Sequence, residues 1–333
     1  MELTVRVLSD GDVTPYYNSN MENKELYKQR RGVSCIRLAS VWFMDNIWSL
    51  LCRTWIPILL MAVVTGLLAY GSFSFIQGSI NDVPTTRLQA ILNIIQLIAP
   101  PYLCVLVFFG FFSWALSPVM SMLNKAPVKQ NFKRTFTMFL SIAALLTAFF
   151  VIIGAVEYGV GVNMVSHNTP VATLLHDLYL VNLIILLVMI IHLPPLHYAM
   201  TRHLFEQERK LSSLFGSGML TGFRYWGYLF LIFFITAILF FVISLVAFLP
   251  LAILYIATDV NSFGMIVMGD PSGLPSYFPL LGCLTNIVTL FIVGYVSIWI
   301  FMIYYYAYGA IEAKKASKKR EKEESSETKQ IDQ

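Results

Sequence analysis

All five histidines, His167, His176, His192, His197 and His203, fall in or beside a single apolar stretch of a 333-residue chain. Imidazole is the side chain best suited to relay a proton near neutral pH or to ligate a metal. The run His192-Leu-Pro-Pro-Leu-His197 has the loose form of a histidine box. Di-iron chemistry needs further boxes, however, and a bis-histidine haem needs a partner on a facing helix, and no other apolar run supplies one. The same two residues also fit plain packing beside a proline pair, so a proton or metal site and a packed interfacial role both stand. Proline doublets occur twice, at Pro100-Pro101 and Pro194-Pro195. Each removes backbone donors, kinks its helix and leaves carbonyls that need partners. Three asparagines, Asn93, Asn182 and Asn286, sit near the far ends of the second, fourth and sixth apolar runs. They predict either interhelical hydrogen bonds or a polar site shared between helices.

Other chemical signatures fail. There is no His-Glu-x-x-His, no Gly-x-Ser-x-Gly, and no paired aspartates within an apolar run. Gly216-Ser217-Gly218 with Gly222 lacks the preceding strand and the lysine of a phosphate cradle, and predicts a flexible elbow after an amphipathic segment from Leu204 to Phe215. The cysteines Cys35, Cys52, Cys104 and Cys283 have no ligand spacing and no disulfide pattern. No cofactor is expected, and no catalytic constellation is found.

The elements that must position these residues are membrane spans. With 57% hydrophobic and 13% charged residues and a mean hydropathy of +0.68, the chain is far more apolar than a soluble domain. A span takes about twenty apolar residues to cross about 30 Å of hydrocarbon. Six runs qualify: Trp55 to Phe75, Leu97 to Val119, Phe136 to Val156, Leu178 to Met200, Trp226 to Leu249 and Leu280 to Tyr304. The predicted fold is all-α, a polytopic bundle of six transmembrane helices in three hairpins with interfacial amphipathic helices. An Arg-x-aromatic step opens each odd-numbered run, at Arg53-Thr54-Trp55, Arg134-Thr135-Phe136 and Arg224-Tyr225-Trp226. Internal duplication gives this pattern, and so does the ordinary preference of Arg and aromatic rings for the membrane interface.

Three regions follow: a polar segment over 1–32, expected to be disordered, a six-span membrane domain over 33–311, and a charged tail over 312–333, expected to be disordered from Glu321 on. The opening segment has no apolar core, which excludes a cleaved signal peptide. Met21 would itself serve as a start. From Val33 to Cys52, Arg37, Asp45, Ser49 and Arg53 recur on one side, predicting a helix lying in the interface.

Charge gives an expected orientation. Apart from Arg87, every Lys and Arg falls before the first run, in the loops after the second and fourth runs, or in the tail. Those segments are therefore expected to be cytoplasmic, with both termini inside. The cluster Lys314, Lys315, Lys318, Lys319 and Arg320 is expected to meet anionic lipid headgroups, at about 1 kcal/mol per residue. The basic balance thus points to membrane lipid and not to nucleic acid. A membrane-protein partner or a second copy of the chain is also expected.

Phe223-Arg224-Tyr225-Trp226, the exit Tyr304-Tyr305-Tyr306, and the Gly309 and Glu312 that follow it lie within a plan that resembles six-helix bacterial integral membrane proteins. These are similar in plan to the membrane domain of some glycerophosphodiester phosphodiesterases. The resemblance covers about Arg37 to Lys315. It implies no activity and no site residue here, because the catalytic domain is absent. Two function classes follow from the residues: a non-enzymatic scaffold, anchor or regulatory factor acting through its cytoplasmic face, and a small-solute or lipid transporter using the proline-kinked second and fourth helices.

Overall fold

The computed structural model describes residues 26–79, 87–166, 171–206, 208–264, 269 and 273–331, with the side chains of 68–102, 104, 150, 155–175, 177, 178, 262, 279, 322, 323 and 326–331 outside that description. The side chains of Asn93, Pro100 and Pro101 therefore lie outside the described residues, as do residues 1–25.

Among the described residues the chain is all-helical. A short helix α1, Gly32–Asp45, leads into α2, Ile47–Ser79. Then come α3, Arg87–Asn124, α4, Val128–Ser166, and α5, Val171–Phe205. A 3-10 turn at Leu211–Ser213 and a π turn at Leu214–Gly218 lead to the short α6, Met219–Arg224. The last two helices are α7, Trp226–Phe263, and α8, Phe278–Ile331. Six of these are long and apolar enough to cross a membrane, and the chain is a multi-span integral membrane protein. Hydrocarbon offers the backbone no hydrogen-bond partner, so helices that satisfy their own N–H and C=O groups are the stable solution.

The last span is the hub, since α8 packs against α1, α2, α5 and α7. Packing also joins α2 to α3 and α3 to α4 at least as closely as it joins α4 to α5. The bundle is thus knitted across the expected hairpins and is not three separate ones. Among the described side chains, the core lies toward the end that carries the Arg-x-aromatic steps, where Leu50, Met61, Leu116, Met138, Leu204 and Ile303 are all essentially inaccessible. In each of the three steps the middle residue, Thr54, Thr135 or Tyr225, is the buried one. The connection from α3 to α4 takes three residues, with Lys125 in the left-handed region at φ 57°. Side chains hold that turn, since Ala126 N donates to Asn124 Oδ1 at 3.0 Å and Asn131 Nδ2 to the same oxygen at 3.1 Å.

Two expectations change. The interfacial helix breaks at Asn46, whose Nδ2 donates to the Trp42 carbonyl at 2.9 Å, so α1 is a separate element docked on the bundle by Cys35, Ile36 and Ala39. The tail is helical through Ile331 instead of disordered from Glu321. Lys, Glu, Arg and Ala are strong helix formers, and Lys319 with Glu323 and Arg320 with Glu324 are opposite charges at four-residue spacing. Ser317 Oγ adds a hydrogen bond to Glu321 Oε1 at 3.1 Å.

Glycine sets the closest approaches. A methyl group added at Gly222 would lie 2.7 Å from Pro195 Cα and 2.9 Å from the Pro195 carbonyl oxygen, and one added at Gly309 would lie 2.5 Å from the Leu26 carbonyl oxygen. Backbone cannot yield as a flexible side chain does, so these contacts require glycine. Gly222→Ala should lower stability by about 1–3 kcal/mol, as overpacking does. Gly227→Ala, with nothing within 4 Å of the new methyl, should leave the melting temperature in detergent within error of the parent.

Candidate functional site

The basic end of the bundle holds a cluster of ionic and phenolic groups that sequence spacing only partly discloses. Near its C-terminus α5 presents Tyr198 and then Arg202, one turn apart, and the segment after it carries Glu206 and Arg209. From α8 come Tyr308, Glu312 and Lys315, again at helical steps. Tyr198 Oη donates to Glu312 Oε1 at 2.5 Å, and Lys315 Nζ donates to the same oxygen at 2.7 Å and to Tyr198 Oη at 3.0 Å. Arg202 Nε donates to Glu206 Oε1 at 2.8 Å and lies 3.9 Å from Glu312 Oε1. Arg209 also donates to Glu206, and Tyr308 Oη reaches Glu206 Oε1 at 3.3 Å. Two carboxylates are thus shared by three cations and two phenols. The Arg202 side chain is only 11% exposed, and the carboxylates of Glu206 and Glu312 are 28% and 20% exposed.

Arg134 of α4 completes this end. Its guanidinium donates to the carbonyls of His203, Glu206 and Arg209, the last two at 2.7 and 3.4 Å. The final carbonyls of any helix lack intrahelical donors, and a cation there also meets the negative end of the helix dipole. One arginine on α4 therefore fixes the end of α5 and the start of the connection to α6. Beyond it, Gly216 adopts φ −99° and ψ −106°, the sharp bend predicted for an elbow.

The second proline pair is buried inside an unbroken α5. Pro195 lacks the N–H that would bond the Ile191 carbonyl four residues earlier. Trp226 Nε1 donates to that carbonyl at 2.9 Å. That oxygen thus has its donor in the first residue of α7, while Gly222 packs on Pro195. In α7, Pro250 removes the helical donor of the Val246 carbonyl, and the next carbonyl, that of Ala247, accepts from Thr289 Oγ1 of α8 at 3.1 Å. Replacing Trp226 with Phe should lower stability by about 1 kcal/mol. A Pro195→Ala change restores the N–H, so a double-mutant cycle in detergent should find the two changes coupled. Simple additivity would exclude the Trp226 bond as the compensation.

The remaining candidates do not converge. His192 is exposed, with Nδ1 2.7 Å from the Val188 carbonyl and its ring edge-on to Phe223 at 5.4 Å. His197 stacks on Tyr304 at 4.5 Å, with Nδ1 2.8 Å from the Leu193 carbonyl. Among the described residues no group of His, Cys, Asp and Glu is placed to hold a metal. Asn286 is buried facing α2 near Gly66, whereas Asn182 is exposed, so the structure does not bring these two to one site. Of the basic tail cluster, Lys314, Lys318, Lys319 and Arg320 are exposed. Lys315 is not part of that face, because it turns inward onto Glu312 and Tyr198.

Sequence reasoning passed over Tyr198, Arg202, Glu206 and the pairing of Glu312 with Lys315. Their signal was present, since Arg202 with Glu206 and Glu312 with Lys315 stand at intrahelical pairing distances. No protein-family model, curated protein or solved structure matches this chain.

Burial acts to raise the Glu206 carboxyl, but hydrogen bonds from Arg202 and Arg209, with their charges, bring it below the ordinary value of 4.5. A carboxylate held low when folded contributes stability that is complete above its ordinary value and lost as pH falls through the folded one. Thermal unfolding between pH 7 and about pH 3 should show an acid decline that Glu206→Gln makes shallower. The variant should also be less stable than the parent at pH 7. An unchanged acid limb would remove Glu206 from the account.

Proposed function

We propose that this protein is a non-enzymatic membrane scaffold that presents a rigid helical arm from its cytoplasmic face. The observation carrying this reading is that the last span continues as one 54-residue helix, rooted in the buried ion cluster where it leaves the bundle. At about 1.5 Å per residue such a helix is about 80 Å long, against about 30 Å of hydrocarbon. The surplus is charged in sequence, exposed at Lys318 to Glu321, and held at its base by Tyr198, Arg202 and Glu206. A groove of about 520 Å³ runs along this part of α8, lined by Tyr27, Glu312, Ser317, Arg320, Glu321 and Glu324 among others. Burial of the second proline pair and the Trp226 bond to the carbonyl that Pro195 frees favour the scaffold over the transporter. The likeness in plan to membrane domains that carry a separate working domain is consistent with an anchoring role.

The basic distribution supports a cytoplasmic location for both termini and insertion in the cytoplasmic membrane. Cysteine placed at Ser317 should label only after permeabilisation, and cysteine placed at Tyr277, which is 63% exposed near the other end of α8, should label in intact cells. The reverse pattern would invert the topology.

The role itself is tested by affinity purification of the full-length protein from native membranes. A stoichiometric partner should be recovered with the parent, lost with Ala316→Pro, which breaks the arm, and retained when both residues of the Pro194-Pro195 pair are replaced by Ala. Solute flux in proteoliposomes that needs those prolines and is indifferent to the arm would defeat the scaffold reading.

A further inference from the structure

At the foot of the arm the structure singles out a smaller group of cations than the tail sequence does. Lys314 Nζ lies 5.9 Å from the centre of the Tyr225 ring, which joins α6 to α7. Arg224, the residue before that ring, is exposed, and Lys318 stands one turn beyond Lys314 on the same side of α8. Among the described residues no carboxylate forms an ion pair with any of these three. The acidic neighbours on α8 are engaged elsewhere: Glu312 by Tyr198 and Lys315, and Glu321 by Ser317. Two separate elements therefore bring uncompensated positive charge to one junction.

The surroundings of that junction are apolar and open. Leu220 is 72% exposed and Phe223 37%, both on α6 beside Arg224. Ile191 of α5, whose carbonyl holds Trp226, is 44% exposed. Exposed aliphatic and aromatic side chains next to unpaired cations match a molecule with an anionic head and hydrocarbon tails, and the Trp226 ring is of the type that favours the headgroup level. A soluble phosphate would gain nothing from Leu220 or Phe223.

We propose that this junction binds an anionic phospholipid, its phosphate held by Arg224, Lys314 and Lys318 and its acyl chains lying over Leu220, Phe223 and Ile191. Calling the leaflet cytoplasmic rests on the orientation given above, whereas the site itself does not. Arg supplies a planar fork for phosphate oxygens and Lys a point charge, so the junction offers both kinds of donor. The lipid would join α6, α7 and α8 on the membrane side, opposite to the ion cluster that joins α5 and α8 within the protein.

Native mass spectrometry of the full-length protein in detergent provides the test, titrating phosphatidylglycerol against phosphatidylcholine of the same chains. Phosphatidylglycerol should bind more tightly, and replacing Arg224, Lys314 and Lys318 by Gln should weaken it by about fivefold per cation removed. A control that changes Lys129, Lys133 and Lys210 to Gln removes equal charge at exposed positions away from the tail cluster and should alter binding by less than about twofold. A charge-conserving pair, Arg224→Lys with Lys314→Arg, should retain binding and guards against a folding defect in the Gln variant. Equal binding of the two lipids, or equal losses in the site and control variants, would overturn the proposal. Inorganic phosphate that displaces the lipid at matched concentration would overturn it in favour of a free-anion site. Because the readout needs neither a partner nor a known topology, it can fail while the scaffold reading survives, and the converse.

Discussion

A backbone carbonyl in hydrocarbon must find a donor, and most of what is distinctive in this bundle follows from that constraint. Pro195 withdraws the natural donor of Ile191, and the indole N–H of Trp226 replaces it from the neighbouring helix. The last carbonyls of α5 have no helical donors ahead of them, and Arg134 reaches them from α4. In each case the donor comes from another helix, so satisfying the backbone also determines which helices are neighbours. Apolar packing alone would not do this, because lipid tails compete for the same surfaces.

The same end of the molecule then accumulates charge that must be compensated. Partly buried ions lose hydration, and their mutual attraction offsets that loss only when further hydrogen bonds satisfy the remaining lone pairs and protons. Glu206 and Glu312 meet the requirement by sharing Arg202, Arg209, Lys315 and two tyrosine hydroxyls between them. Removing one member of such a network leaves an uncompensated charge and costs about 3–5 kcal/mol, whereas its net contribution to stability is far smaller. The arrangement is better understood as fixing geometry than as adding stability. It allows one geometry of α5 against α8 and penalises others.

Six spans were legible from hydropathy, because a long apolar run has few alternatives to a membrane helix. The bend at Gly216 was legible for a similar local reason. Three kinds of information were not. The packing of α3 on α4 and of α2 on α8, across hairpins, depends on side-chain shape, which the shared Arg-x-aromatic steps do not encode. The helical tail contradicts an expectation from charge content alone, since Lys319, Arg320, Glu323 and Glu324 read as a solvated run until their four-residue spacing is considered. Lys315 looked like one of five equivalent surface lysines and arginines, and only the position of Tyr198 on another helix separates it from Lys314. The histidines left two readings open, a site and plain packing, and their contacts are of the packing kind. His192 and His197 share a helix and a short motif, yet one meets Phe223 and the other Tyr304.

The separation of Lys315 from Lys314 has a mechanical consequence for α8. Successive residues of a helix are rotated by about 100°, so neighbours in sequence face different surroundings. Glu312 and Lys315 lie three apart and face α5, while Lys314 lies over the Tyr225 ring at the α6–α7 junction and Lys318, four residues on, is exposed. A helix tied on one face alone can still roll about that contact. With ionic contacts on one side and the Tyr225 ring with its adjacent cation on the other, rolling would break one set whichever way the helix turned. Both sets fall within two turns, where the helix leaves the packed core at Ile311. The azimuth of everything beyond is therefore fixed relative to the membrane domain. A flexible tail of identical charge would lack that property.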